Sequence, residues 1–154
     1  MSRFTWAIVA AVLALVVLSV GLAVALPRSQ PEPDLSTPEG VALAYALAMQ
    51  RGEPEGAWDL LAESAKSQTT RERFIARSGD VLQSYERARL SVEDPRITDA
   101  TARVQLVRTY PSSGGPFGLG GGSASNRNTV TLTQEGGNWR ISTPPEAFLL
   151  VNRP

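Results

Sequence analysis

Neither cysteine nor histidine occurs in the chain. Without thiols there is no disulfide scaffold, no thiol nucleophile and no lipid-modified cysteine; without imidazoles, His-based triads and the common zinc sites are excluded as well. An excess of one charge is also missing, because fifteen basic and fifteen acidic residues cancel. That balance removes the positive footprint of a protein held to nucleic acid through phosphates, and no nucleic-acid partner is expected. Lysine is represented once, by Lys66. Catalysis would therefore rest on carboxylates, hydroxyls, tyrosine, arginine or that lysine, and no catalytic residue, metal ligand or cofactor is assigned. What remains, 42% apolar and 19% charged over 154 residues, is the composition of a chain that folds, with length for about one domain.

The long apolar run is at the amino end. Trp6 to Leu26 has Ser19 as its one polar interruption and no charge; as a helix rising about 1.5 Å per residue it would cross a hydrocarbon layer roughly 30 Å thick. A membrane anchor is the favoured reading. The competing one is a secretory signal cleaved near Ala25, since Ala23-Val24-Ala25 resembles a cleavage site, but the run exceeds the roughly 7 to 15 residues of a signal core. Either way the remainder is expected outside the cytoplasm, as a single-pass cell-membrane protein or as a secreted one. Residues 27–37, with Pro27, Pro31 and Pro33 and little apolar content, read as a stalk. Residues 38–154 are then one folded domain.

Thr37-Pro38-Glu39 is a helix start, and Arg51-Gly52 a stop. Between them Val41 to Met49 carries no charge, which predicts a helix covered on much of its circumference. A second helix opens at Pro54 and ends in the polar stretch Glu63 to Gln68. A third is expected from the pair Thr69 and Glu72, with Phe74, Val81, Leu82 and Tyr85 on one stripe. The period then changes to two. Ala88, Leu90 and Val92 mark one strand, broken at Asp94-Pro95; Ala102, Val104 and Leu106 mark a second, Val130 and Leu132 a third, Trp139 and Ile141 a fourth, with a hairpin at Gly136-Gly137. Three helices followed by an antiparallel meander make an α+β domain whose helices cover one face of a curved sheet of about four strands.

The segment from Thr37 through Arg77, with its helix ending at Arg51-Gly52, its Ala57-Trp58-x-Leu60-Leu61 stretch and its helix start before Phe74, together with Asn138-Trp139-Arg140-Ile141, resembles the NTF2-like superfamily. The likeness is to extracytoplasmic, membrane-anchored members, including the NTF2-like domain at the N-terminal side of some penicillin-binding proteins. It implies a cone-shaped fold. Enzymes of that superfamily, ketosteroid isomerases among them, place an acid, a tyrosine or a histidine inside the cone. The inward strand positions expected here include no carboxylate, so the cone is expected to be apolar. Tyr45, Trp58, Phe74, Tyr85 and Trp139 are core residues on the simpler reading and the lining of a ligand pocket on the other. Dimerisation across the open sheet face is common in the superfamily; with Arg89, Arg103, Arg140 and threonines on that face, a dry homodimer is not predicted.

The glycine tract in residues 111–128 lacks a Gly-Lys-Ser/Thr terminus and a following helix, so the phosphate-loop reading fails. A flexible strand connection is the plain reading, and a partner-binding tip carrying Phe117 and Leu119 the alternative. The leading functional expectation is a non-catalytic binding or scaffolding module of the bacterial cell envelope, with an envelope protein as partner. The alternative is a small-molecule binder or ketosteroid-isomerase-like enzyme with Tyr45 as polar handle.

Overall fold

The structure, a computed structural model, describes residues 32–111 and 123–150. The expected membrane segment 6–26, residues 27–31 of the stalk, and Phe117 and Leu119 lie outside them. No helix among the described residues is long and apolar enough to cross a membrane.

The described residues from Pro33 onward form one compact unit. It begins with a turn in which Thr37 donates from its backbone N and Oγ1 to the Asp34 carbonyl at 3.1 and 2.9 Å. This turn leads into α1 (Pro38–Arg51), where the Thr37 hydroxyl accepts from Gly40 N and Pro38 occupies the first turn. Gly40 is required by close approach: a Cβ there would drive into the Asp34 carbonyl. The helix stops at Gly52, left-handed with φ 73°, whose N–H donates to Met49 O. From Val41 to Met49 only Leu43 and Ala44 escape full burial, as a charge-free helix predicts. This helix packs against β1, β2 and β4 and meets α2 and α4 as well.

Three shorter or later helices follow: α2 (Pro54–Asp59), α3 (Glu63–Lys66) and α4 (Arg71–Glu86). The one-turn α3 was not expected from its polar sequence. Its free N-terminal amide at Glu63 is bound by the Glu135 carboxylate at 3.2 Å, a long-range cap with no local signature. The cap of α4 is Thr70, accepting from Arg73 N at 3.3 Å, and not Thr69. Thr69 is buried instead, its hydroxyl without a partner.

The sheet is a meander, β1 (Arg89–Thr98), β2 (Thr101–Pro111), β3 (Ser123–Glu135) and β4 (Asn138–Thr143), antiparallel throughout in the order β1-β2-β3-β4. Two expectations are corrected. Asp94-Pro95 does not end β1; the pair is absorbed as a bulge between Glu93 and Arg96, with Asp94 left-handed at φ 49°. The segment Ser123–Asn128, assigned to the loop for want of apolar alternation, belongs to β3 and pairs with Leu106–Pro111 of β2, whose backbone supplies the partners that side chains do not advertise. Gly136 and Gly137, at φ 59° and 83°, make the β3–β4 hairpin as the two glycines predict.

The inward sheet face, carrying Leu90, Ala102, Val104, Leu106, Val130, Leu132, Trp139 and Ile141, is buried against the helices with Tyr45, Met49, Phe74 and Tyr85. Each large side chain fully covered contributes roughly 1.5–3 kcal/mol relative to exposure. After β4 the chain turns at Pro144-Pro145, and a short 3-10 helix (Ala147–Leu149) packs back, burying Leu149 and Leu150.

Candidate functional site

Two places on the unit concentrate chemistry. The first is inside. Four side chains from four parts of the chain meet in the core: Tyr45 of α1, Tyr85 near the end of α4, Arg108 of β2, and Glu146 between the last strand and the 3-10 helix. Arg108 sits in phase with Ala102, Val104 and Leu106, so the strand alternation that buries those residues carries the guanidinium inward too. Gln50 fixes the other wall by donating to the carbonyls of Tyr85 and Ala88, both at 2.8 Å, holding the end of α4 against α1.

Glu146 Oε1 accepts from the Tyr85 hydroxyl at 2.7 Å and from Arg108 at 3.1 Å. The guanidinium also donates to Ser84 Oγ and Asn128 Oδ1, each at 3.0 Å, and lies 4.7 Å from the centre of the Tyr85 ring. Tyr110 closes the edge by donating to the Ser84 carbonyl at 2.6 Å. Ser84, Tyr110 and Asn128 are half-buried, so the cluster lies just beneath the surface at one end of the sheet. Glu146 Oε2, Arg108 Nε and the Tyr45 hydroxyl are buried without a hydrogen-bond partner among the described residues. Tyr45 stands close enough to Glu146 for its hydroxyl and the carboxyl to perturb each other, although the hydroxyl completes no hydrogen bond.

Burial pushes both phenols far above their ordinary range, with the Glu146 charge adding to the rise and Arg108 opposing it. Both stay neutral, and Tyr85 is the donor to Glu146. Burial also raises the Glu146 carboxyl, against the downward pull of the Tyr85 hydrogen bond and the Arg108 charge. A carboxyl so placed can hold or release a proton nearer neutrality than an exposed one, which is the environment acid–base sites use. The expectation of an interior without a carboxylate is thus overturned: Glu146 enters from beyond the last strand, where no periodicity marks it.

Of the aromatic residues singled out in the sequence, Tyr45 and Tyr85 are brought together around Glu146. Trp58 and Phe74 form a separate tilted pair, with centroids 5.4 Å apart, and Trp139 is buried from β4.

The second place is the outer face of the sheet, which carries a hollow of about 520 Å³ lined by Asp94, Arg96, Arg103, Gln105, Thr129 and Thr131. Arg96 and Arg103 are direct cross-strand partners. Among the described residues no group of three or more acidic side chains is placed to hold a metal ion.

No family model matches the chain, and no curated protein matches it. Solved structures similar to it include a SEC-C motif-containing protein from Rhodopseudomonas palustris, 16% identical with a TM-score of 0.48, covering 79% of this chain and 84% of that one. A member of the NTF2-like family from Streptomyces avermitilis is 16% identical with a TM-score of 0.44, over 71% of this chain and 93% of that one. A protein of unknown function from Mycobacterium tuberculosis is 18% identical with a TM-score of 0.44, over 66% and 63%.

Proposed function

We propose that this chain is a non-catalytic binding module of the extracytoplasmic NTF2-like type, anchored in a bacterial membrane by residues 6–26 and displayed on its proline-rich stalk to engage an envelope partner through the outer face of its sheet. One observation carries the reading. The aromatic side chains that would line a cone pocket are consumed in packing, Tyr45, Phe74 and Tyr85 being fully covered, while a hollow of ligand size opens on the outer face. In this reading the interior ion pair is a clasp that fastens the C-terminal segment to β2 and α4. The apolar run from Trp6 to Leu26 and the prolines that follow it at 27, 31 and 33 support the placement.

The test is membrane fractionation of the full-length chain, followed by cross-linking from a photoreactive residue introduced at Gln105. Recovery in the membrane fraction with a discrete envelope protein cross-linked supports the reading. A chain found soluble in the cytoplasm overturns the placement, and cross-linking that is no different from that of a residue in the α2–α3 region overturns the face.

A second reading is favoured by the unpartnered Tyr45 hydroxyl and Glu146 Oε2: a small-molecule site in which Glu146 exchanges a proton with a ligand that Tyr45 and Tyr85 orient. It requires Tyr45→Phe to alter ligand affinity while leaving stability intact. No ligand response in a screen of small apolar ketones and acids, with the wild-type fold intact, counts against it.

A further inference from the structure

We propose that the outer-face hollow binds a phosphate-like oxyanion gripped between Arg96 and Arg103. The proposal deepens the binding-module reading and rests on it for the choice of face. Its first support is the bulge. In the regular register set by Glu93 opposite Gln105, Pro95 would face Arg103 and Arg96 would be directed to the inner side of the sheet. The extra residue shifts the pairing so that Arg96 stands opposite Arg103 instead, and a one-residue shift in a strand exchanges its faces. The left-handed Asp94 at φ 49° is the conformation that accommodates it. The chain thus adopts an uncommon backbone geometry whose consequence is two arginines directly opposite each other on the outer face.

Like charges directly opposite each other across two strands repel. Neither the Arg96 nor the Arg103 side chain has a hydrogen bond or ion pair with a described residue, and Asp94 beside them forms an ion pair with neither. The acids of the same face are committed elsewhere: Glu93 pairs with Arg127 at 3.8 Å and Glu135 binds the amide of Glu63. Arg140 is committed likewise, donating to the Asp59 carbonyl at 2.6 Å. That leaves the two arginines with the Thr129 and Thr131 hydroxyls and the Gln105 amide, which donates to Thr129 Oγ1 at 3.1 Å. Planar guanidinium forks joined by hydroxyl donors suit a tetrahedral oxyanion of more than one negative charge. Asp94 is the one acid among the described residues that line the hollow, and it limits affinity.

The experiment uses the full-length chain in a non-ionic detergent, titrated with inorganic phosphate at constant ionic strength and read by heat and by melting temperature. Phosphate should raise the melting temperature of the wild type. Arg96→Gln or Arg103→Gln should weaken association at least fivefold, Arg89→Gln on the same face should change it by less than twofold, and Asp94→Asn should strengthen it severalfold. Without phosphate, Arg96→Gln should melt at or above the wild-type temperature, because it removes the repulsion; this separates loss of binding from loss of fold. A phosphomonoester lipid in the same micelles identifies the source: a stronger response than to free phosphate assigns the group to a headgroup, and the reverse to a soluble anion, either supporting the site. Absence of a phosphate response, or an equal loss in Arg89→Gln, overturns it. If cross-linking from Gln105 still captures a partner in that case, the binding-module reading stands and the oxyanion assignment alone falls.

Discussion

Replacing Arg108 by methionine tests whether the interior cluster is a clasp. The substitution preserves an unbranched apolar stem but removes the guanidinium, and with it the bonds to Glu146, Ser84 and Asn128. Glu146, 5% exposed, is left with the Tyr85 hydroxyl as its donor. Removing one partner of a buried pair costs about 3–5 kcal/mol when the other stays charged. Here there is a ceiling on the charge part, because the carboxyl can take up a proton instead. From its ordinary value of 4.5, carrying that proton at pH 7 costs about 3.4 kcal/mol at 1.36 kcal/mol per unit. Lost hydrogen bonds to Ser84 and Asn128 add roughly 0.5–1.5 kcal/mol each, while the already raised pKa of Glu146 in the wild type takes part of the proton cost out of the difference. The expected loss at pH 7 is therefore about 3–5 kcal/mol, measured by urea unfolding of the full-length chain in mild detergent.

The pH dependence makes this decisive. Glu146 already has a raised pKa in the wild type, so over the interval above 4.5 the native state binds more protons than the unfolded one. Stability contributed by this group is greatest below 4.5 and falls as pH climbs through the native pKa. Without Arg108 the native pKa rises further and the fall continues to higher pH. The penalty of Arg108→Met must then shrink on acidification, by up to about 1.4 kcal/mol per unit, and the double variant Arg108→Met/Glu146→Gln must be more stable at pH 7 than Arg108→Met alone. A loss that is the same at pH 5 and pH 8, or a double variant no better than the single one, refutes the reasoning.

The remaining expectations concern single groups. Tyr85→Phe removes the hydroxyl bound to Glu146 at 2.7 Å and should cost about 1.5–3 kcal/mol, whereas Tyr45→Phe removes an unpartnered hydroxyl and should be neutral or slightly stabilising in the same unfolding assay. Thr70→Ala should cost about 0.5–2 kcal/mol as the loss of an N-cap, while Thr69→Val, at a buried hydroxyl with no partner, should cost less or stabilise; the opposite order in melting temperature would return the cap to Thr69. Gly137→Ala, at φ 83°, should destabilise by about 1 kcal/mol with no change of partner binding.

Local chemistry made much of the fold legible. Thr37-Pro38 and Arg51-Gly52 bound α1 because capping and left-handed termination depend on residues at hand, and Gly136-Gly137 fixes its hairpin for the same reason. Features that depend on distant partners could not be read this way. The cap of α3 is Glu135, 72 residues away, and the polar start of β3 is a strand because β2 lies beside it. Asp94-Pro95 resembles a break, and is one only if the strand has no neighbour able to absorb an extra residue.

The site divides along the same line. Arg108 was within reach of the sequence: two steps beyond Leu106 in an established alternation, it had to face inward unless the strand ended first. A buried arginine in turn demands an anion, since an isolated charge in the core is prohibitive. That demand, taken alone, points to no particular residue among the fifteen acids. The apolar tail Ala147 to Leu150 narrows it, because a segment that packs back after Pro144-Pro145 carries Glu146 toward the core. The interior cluster and the outer arginine pair are then two answers to one electrostatic problem on the same strand. Arg108 has a carboxylate from its own chain, and Arg103, five residues earlier on the other face, has another arginine opposite it and no described acid paired with it.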